Sequence, residues 1–172
     1  EILAQIRQAE PIFLRHIQPV DFARPIAGGP DDLAALADIV RGTPDRFAGK
    51  RTAVHIRRKE GSPFAYPAAE AKAAADAALR EAGAEPAQQS PDLILSVFAT
   101  DSELLIGWGT ADEMLSDWPG GAIRFRREDG QISRAKFKLL EAERTFGLRL
   151  DAHERALDIG AAPGGWTSLL IE

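Results

Sequence analysis

The chain has 172 residues, of which 45% are hydrophobic and 27% charged, a globular balance that excludes a disordered chain and suits one ordinary domain or two small ones. It has no cysteine, no apolar run long enough to span a bilayer and no signal-peptide pattern at its start, so a disulfide framework and a thiolate metal site are excluded, and a reducing, cytoplasmic setting is consistent with the composition. The net charge of −5 argues against indiscriminate nucleic-acid binding, which needs a basic surface to displace counterions from phosphates.

Residues 2–9 suit a short helix. Pro11–Val20 contains the run from Ile12 to Ile17 and reads as a strand, and the Pro- and Gly-rich stretch Asp21–Pro30 reads as loop. Asp31 or Asp32 caps a helix over Leu33–Val40, whose apolar positions recur every three or four residues until Gly42. Lys50–Arg58 alternates and predicts a strand. Pro67 suits the first turn of an alanine-rich helix over Ala68–Ala82, stopped by Gly83. Pro91–Phe98 has the pattern of a buried strand, and Glu103–Trp108 follows it across the turn Thr100–Ser102, so the two form a hairpin. A helix runs from about Ser133 to Phe146 before Gly147, then a strand over Arg155–Ile159, and a further helix opens at Pro163. The Gly-, Pro- and Arg-rich stretch 116–132 is the expected domain boundary. Glu1 is not an initiator methionine and the chain stops inside the apolar run Leu169–Ile171, so it is expected to be part of a longer protein.

The segment Ala156-Leu-Asp-Ile-Gly-Ala-Ala-Pro-Gly-Gly-Trp166 carries the chemistry. Glycines between a strand and a helix let the backbone approach a ligand, and the helix start offers free N–H groups and partial positive charge. Nucleotide-like ligands bind at such turns in open α/β sheets. The dinucleotide fingerprint is not met, because Ala162 stands where its second glycine belongs and Pro163 lies within the loop. A dinucleotide-dependent enzyme is therefore disfavoured.

The spacing of Asp158, Gly160, Pro163, Gly164, Gly165 and Trp166 instead resembles the first motif of class I methyltransferases, and the longer string resembles the FtsJ-like ribose methyltransferases. Ser133-Arg-Ala-Lys-Phe-Lys-Leu-Leu-Glu141 is similar to a conserved segment of the same family, which carries Ser-Arg-x-x-[Phe/Leu]-Lys-Leu-x-Glu there. The resemblance implies S-adenosyl-L-methionine as cofactor, held by Ser133, Asp158, Gly160, Pro163, Gly164, Gly165 and Trp166. It also implies that Lys138 is the first lysine of a Lys-Asp-Lys-Glu catalytic tetrad. Without the resemblance, the helix from Ser133 reads as ordinary amphipathicity, with its lysines in water.

From Arg124 to Lys138 six basic residues stand against two acidic ones. Arg124, Arg126, Arg127, Arg134 and Lys136 are candidate contacts to RNA phosphates, which position a strand without reading it. A second cluster is Arg51, Arg57, Arg58 and Lys59, and either cluster alone reads more simply as a solvated face.

The stretch from Ser90 to Gly107 resembles the second half of a THUMP domain, a module that holds RNA substrates. A THUMP-like unit before an FtsJ-like domain is the arrangement of the RlmM family, whose members methylate a cytidine ribose of large-subunit ribosomal RNA. The expected organisation is an α/β (α+β) fold. It has a remnant of an N-terminal ferredoxin-like domain over 1–48, a THUMP-like domain over 49–115, a linker over 116–132 and the start of a Rossmann-like methyltransferase domain over 133–172. The expected function is RNA ribose 2′-O-methylation, most simply of ribosomal RNA. Its rival is a non-catalytic RNA-binding module. Residues 1–172 alone are expected to be inactive, since the family's sheet is longer than these residues build. His16, His55 and His153 show no metal-ligand spacing and read as structural or surface residues, so no metal is expected. Trp108 and Trp118 flank the hairpin and the linker; stacking on RNA bases is one role open to them, and packing at a domain junction is the simpler one.

Overall fold

The computed structural model describes residues 2–9, 11, 13–123, 125, 132–151 and 154–171. The chain divides into two compact units, Glu1–Ala122 and Ile123–Glu172.

The first unit is mixed α/β. After α1 (Ile2–Gln8), its elements are β1 (Phe22–Pro25), α2 (Asp31–Arg41), α3 (Pro44–Phe47), β2 (Arg51–Arg58), α4 (Ala68–Glu81), β3 (Glu85–Pro86), β4 (Leu93–Ala99) and β5 (Glu103–Gly109). The five strands form one sheet in the order β1-β5-β4-β2-β3. β4 and β5 pair antiparallel as the predicted hairpin, whereas β2 runs parallel to β4, with His55 opposite Ser96. A parallel pair needs a crossover, and α4 supplies it. Residues 1–48 and 49–115, expected as parts of two domains, share this unit: β1 and α2 of the first complete the sheet and core of the second.

Strand alternation gives the sheet two different faces. On one, Val54, Leu95, Val97, Leu104 and Ile106 meet Leu36 and Val40 of α2 and Ala71, Ala75, Ala78 and Leu79 of α4. Alanines at i, i+4 and i+7 let α4 lie close to α2 and to the sheet. Trp108 packs on Phe22 and Phe47 at ring distances of 5.8 and 5.4 Å, within this unit.

The opposite face holds only a small apolar cluster, Ala53, Ile94 and Met114, beside the buried polar residues His55 and Ser96. Residues 13–20 cover it, and this corrects the sequence reading. They are not a strand; the strand is β1, inside the stretch read as loop. The reason is that a strand is made by its partner. Phe22–Pro25 finds the free edge of β5, and Pro25 is tolerated there because an edge strand need not donate. Residues 13–20 reach their neighbours through single hydrogen bonds, not a ladder. Ile17 N–H donates to Met114 O at 3.0 Å, and Gln18 Nε2–H to Leu105 O at 2.9 Å. Gly107 and Gly121 make this crossing feasible, since a Cβ on either would overlap the backbone of Pro19 or Arg15.

Burial holds the His55 imidazole down at about 4, helped by the neighbouring His16 and opposed by Asp117, with Lys72 lowering it further. His16 is lowered too, by burial and by Arg57. The cluster at Arg51–Lys59 is engaged within the unit: Arg51 donates to Ser90 O and Gln89 O, Arg57 lies over the Phe98 ring, and Lys59 pairs with Asp101. This fits its reading as a solvated face.

The second unit contains α5 (Ala135–Phe146) and α6 (Thr167–Leu170). Gly147 ends α5 in the left-handed region at φ +62°, a conformation that favours glycine. Phe125 stacks on Phe137 at 5.5 Å. Two expectations are corrected here. Residues 155–158 are not assigned as a strand, and Leu157 and Ile159 are 85% and 89% exposed. Among the described residues no neighbour supplies the ladder that would make one. The last helix begins at Thr167, not Pro163, because Pro163 and Gly164 shape turns ahead of it.

Candidate cofactor loop

Two cavities invite comparison. The larger, about 520 Å3, lies in the first unit and is lined by Ser90, Pro91, Ala111, Asp112, Leu115, Ser116 and Asp117. Its charged groups are two carboxylates. The smaller, about 230 Å3, lies in the second unit and is lined by Ser133, Ala135, Asp158, Ile159, Gly160, Ala161, Ala162, Pro163, Gly165 and Trp166. The smaller one is lined by residues that the sequence singled out. Its volume is below the roughly 300–1,000 Å3 of most ligand pockets, so these residues would grip part of a ligand and not engulf it.

The sequence makes this loop by placing glycine where other residues are strained. Gly160 and Gly164 sit at φ +81° and +98°, in the region closed to most side chains. Space beside the Gly160 Cα is open, with nothing within 4 Å of where a Cβ would stand. Gly164 N–H turns back onto Ala161 O, and Ser168 N–H onto Gly164 O at 2.9 Å. Thr167 Oγ1 donates to Asp158 Oδ2 at 2.7 Å, and Trp166 Nε1–H donates to Ala135 O at 2.8 Å. Ser133 Oγ accepts the Ala135 N–H at 3.1 Å.

Six of the seven residues assigned to the cofactor line one cavity: Ser133, Asp158, Gly160, Pro163, Gly165 and Trp166. Gly164 lies within the same turn. Lys138 is exposed on α5 and Lys136 half-buried; neither lines the cavity, nor does the exposed Arg134. Arg124, Arg126, Arg127 and His153 lie outside the described residues. The sequence reading gave no role to Thr167 or to the carbonyl of Ala135. Thr167 directly follows the segment ending at Trp166, and its hydroxyl was the available signal. The carbonyl had none. Among the described residues no group of three or more His, Asp or Glu is placed to hold a metal, and no helix is long and apolar enough to cross a membrane.

Residues 131–172 match the model of the FtsJ-like methyltransferase family, so the loop and α5 fall within a methyltransferase signature. Over nearly its whole length the chain is similar to ribosomal RNA large subunit methyltransferase M. It is 33% identical to that of Thauera aminoaromatica over 94% of this chain and 46% of the relative. It is 32% identical to that of Methylococcus capsulatus over 98% of this chain and 48% of the relative. Ribosomal RNA large subunit methyltransferase E of Acidiphilium cryptum is 50% identical over 46 residues, 27% of this chain and 20% of that protein. The chain thus spans less than half the length of these relatives. The solved structure of TrmN from Thermus thermophilus overlaps 55% of this chain and 28% of its own at 21% identity and a TM-score of 0.46, a likeness too slight to bear on function.

Proposed function

We propose that this chain is part of an S-adenosyl-L-methionine-dependent methyltransferase acting on the ribose 2′-oxygen of large-subunit ribosomal RNA, in a cytoplasmic setting. One coincidence carries the reading: the residues matched to the FtsJ-like family, 131–172, include every residue of the Gly-rich cavity. When bound, the cofactor would supply a methyl group on a sulfonium sulfur, an electrophile for a ribose oxygen that gives up its hydroxyl proton to a base. The chain's residues do the rest. Gly160 and Gly164 hold the backbone open, Asp158 fixes the start of α6, and Ser133 and Trp166 border the cavity. The open space beside Gly160 fits backbone approach by such a group. Lys138 orients the ribose oxygen and stabilises its developing negative charge. Arg134 and Lys136, with Arg124, Arg126 and Arg127, lie along the RNA backbone. In this reading residues 49–115 are a THUMP-like RNA-holding domain and 133–172 the start of the methyltransferase domain.

The test is transfer of labelled methyl groups from S-adenosyl-L-methionine to unmodified large-subunit ribosomal RNA by the complete product of this reading frame. Label is expected in one 2′-O-methylnucleoside, and Lys138→Ala is expected to lower kcat by about 100-fold. Label on a base, or none at all, overturns the reading. The exposed position of Lys138, outside the cavity, favours one rival, a non-catalytic RNA-binding module. RNA binding without transfer is its signature.

A further inference from the structure

We infer that Trp166 is a positioning residue: its indole N–H fastens the Gly-rich loop to the first turn of α5 and so sets the distance from the loop to Lys138. The inference rests on the reading of Lys138 given above.

Trp166 Nε1–H donates to the carbonyl of Ala135 at 2.8 Å. Ala135 is the first residue of α5, three before Lys138. The helical rise separates the two by about 4.5 Å along a rigid element. A carbonyl has two lone pairs, so Ala135 accepts from the indole in addition to its place in the helix.

An independent contact grips the same point. Gly165 is buried, and a Cβ on it would overlap Ser133 Oγ and come within 3.0 Å of the Ala135 Cβ. Two consecutive loop residues, Gly165 and Trp166, therefore hold residues 133 and 135. On the other side of the loop Thr167 is held by Asp158. The Trp166 side of the link is polar in origin. Its residue remains 43% exposed, so burial of the ring is not what anchors it.

A cofactor contact and a positioning residue fail differently. Loss of a contact weakens binding, whereas a misplacement of about 1 Å between bound reactant and catalytic group lowers the chemical step by up to about 100-fold. Trp166→Phe keeps a ring and removes the donor. In the 172-residue chain, the Trp166 indole resonance is identified by its loss in Trp166→Phe, which leaves those of Trp108 and Trp118. Its N–H is expected to exchange with solvent at least about tenfold more slowly than a free indole, as a hydrogen-bonded donor does. Exchange at the free-indole rate overturns the inference whatever the enzyme does.

In the complete product of the reading frame, Trp166→Phe keeps a ring at the cavity, so kcat is expected to fall by about tenfold or more, a larger factor than any rise in the Kd for S-adenosyl-L-methionine. A weaker Kd with unchanged kcat makes Trp166 a cofactor contact and overturns the inference, as does no change in either. Gly165→Ala keeps the indole but pushes the same junction apart, and the same loss of kcat is expected. If the wild-type indole is protected but no RNA is methylated, the link stands and the methyltransferase reading falls.

Discussion

The two units are cohesive in different ways. In Glu1–Ala122 a continuous set of buried apolar side chains joins α2, α4 and the sheet. In Ile123–Glu172 no apolar side chain among the described residues is buried, and Phe146, Leu148, Leu150, Leu157, Ile159 and Ile171 are exposed. What gives the second unit its form is a set of specific links: an indole on a carbonyl, a hydroxyl on a carboxylate, glycines at positive φ. A hydrophobic core is non-directional and resists small insults collectively. A link is directional and is lost whole. Substitutions should therefore act globally in the first unit and locally in the second.

The largest effect is expected from Leu95→Ala. Leu95 is fully buried at the middle of β4, and the cavity left should cost about 4 kcal/mol. Urea denaturation would read this as a fall in the midpoint for the first unit, with the Trp166 indole signal of the second unchanged. A loss below about 1 kcal/mol, outside the usual range for buried leucine, would mean that the core is not continuous.

Acid comes next. His55 has a folded value of about 4 against 6.5 when free, so the folded state favours the neutral imidazole. The stability this provides is complete above about pH 6.5 and declines as pH falls from 6.5 to 4, by at most about 3 kcal/mol. Urea midpoints measured from pH 7 to 4 should show the decline, and His55→Asn should flatten it. A flat wild-type profile would remove the buried imidazole from the account.

The smallest effect on folding, though a large one on binding, is expected from Gly164→Val. At φ +98° a β-branched residue is strained by about 1–3 kcal/mol, and the disturbance should stay within the second unit. Calorimetry should show S-adenosyl-L-methionine affinity lost. Unchanged affinity would separate the loop from cofactor binding.

What the sequence made legible follows the same division. Helices α2 and α4 and strands β2, β4 and β5 are legible in their local apolar patterning, which suits their burial, and α5 in the glycine that ends it. β1 was missed because Phe-Ala-Arg-Pro has no pattern of its own and takes its identity from β5, about eighty residues away. Residues 155–158 were over-read for the opposite reason: their pattern is strand-like, but a ladder needs a partner. The Gly-rich loop was readable because positive φ demands glycine at particular spacings. Its fastening to Ala135 was not, because a backbone carbonyl carries no residue signature.

The crossing of residues 13–20 over the sheet has a consequence for synthesis. Arg15 lies against Gly121, and Pro19 against Gly107, so these two residues are seated on ones made about a hundred later. Translation proceeds at about 5–20 residues per second. For several seconds the nascent chain holds Arg15 and Pro19 without Gly121 and Gly107, their final neighbours. The seat for Arg15 is complete only once Gly121 has been made.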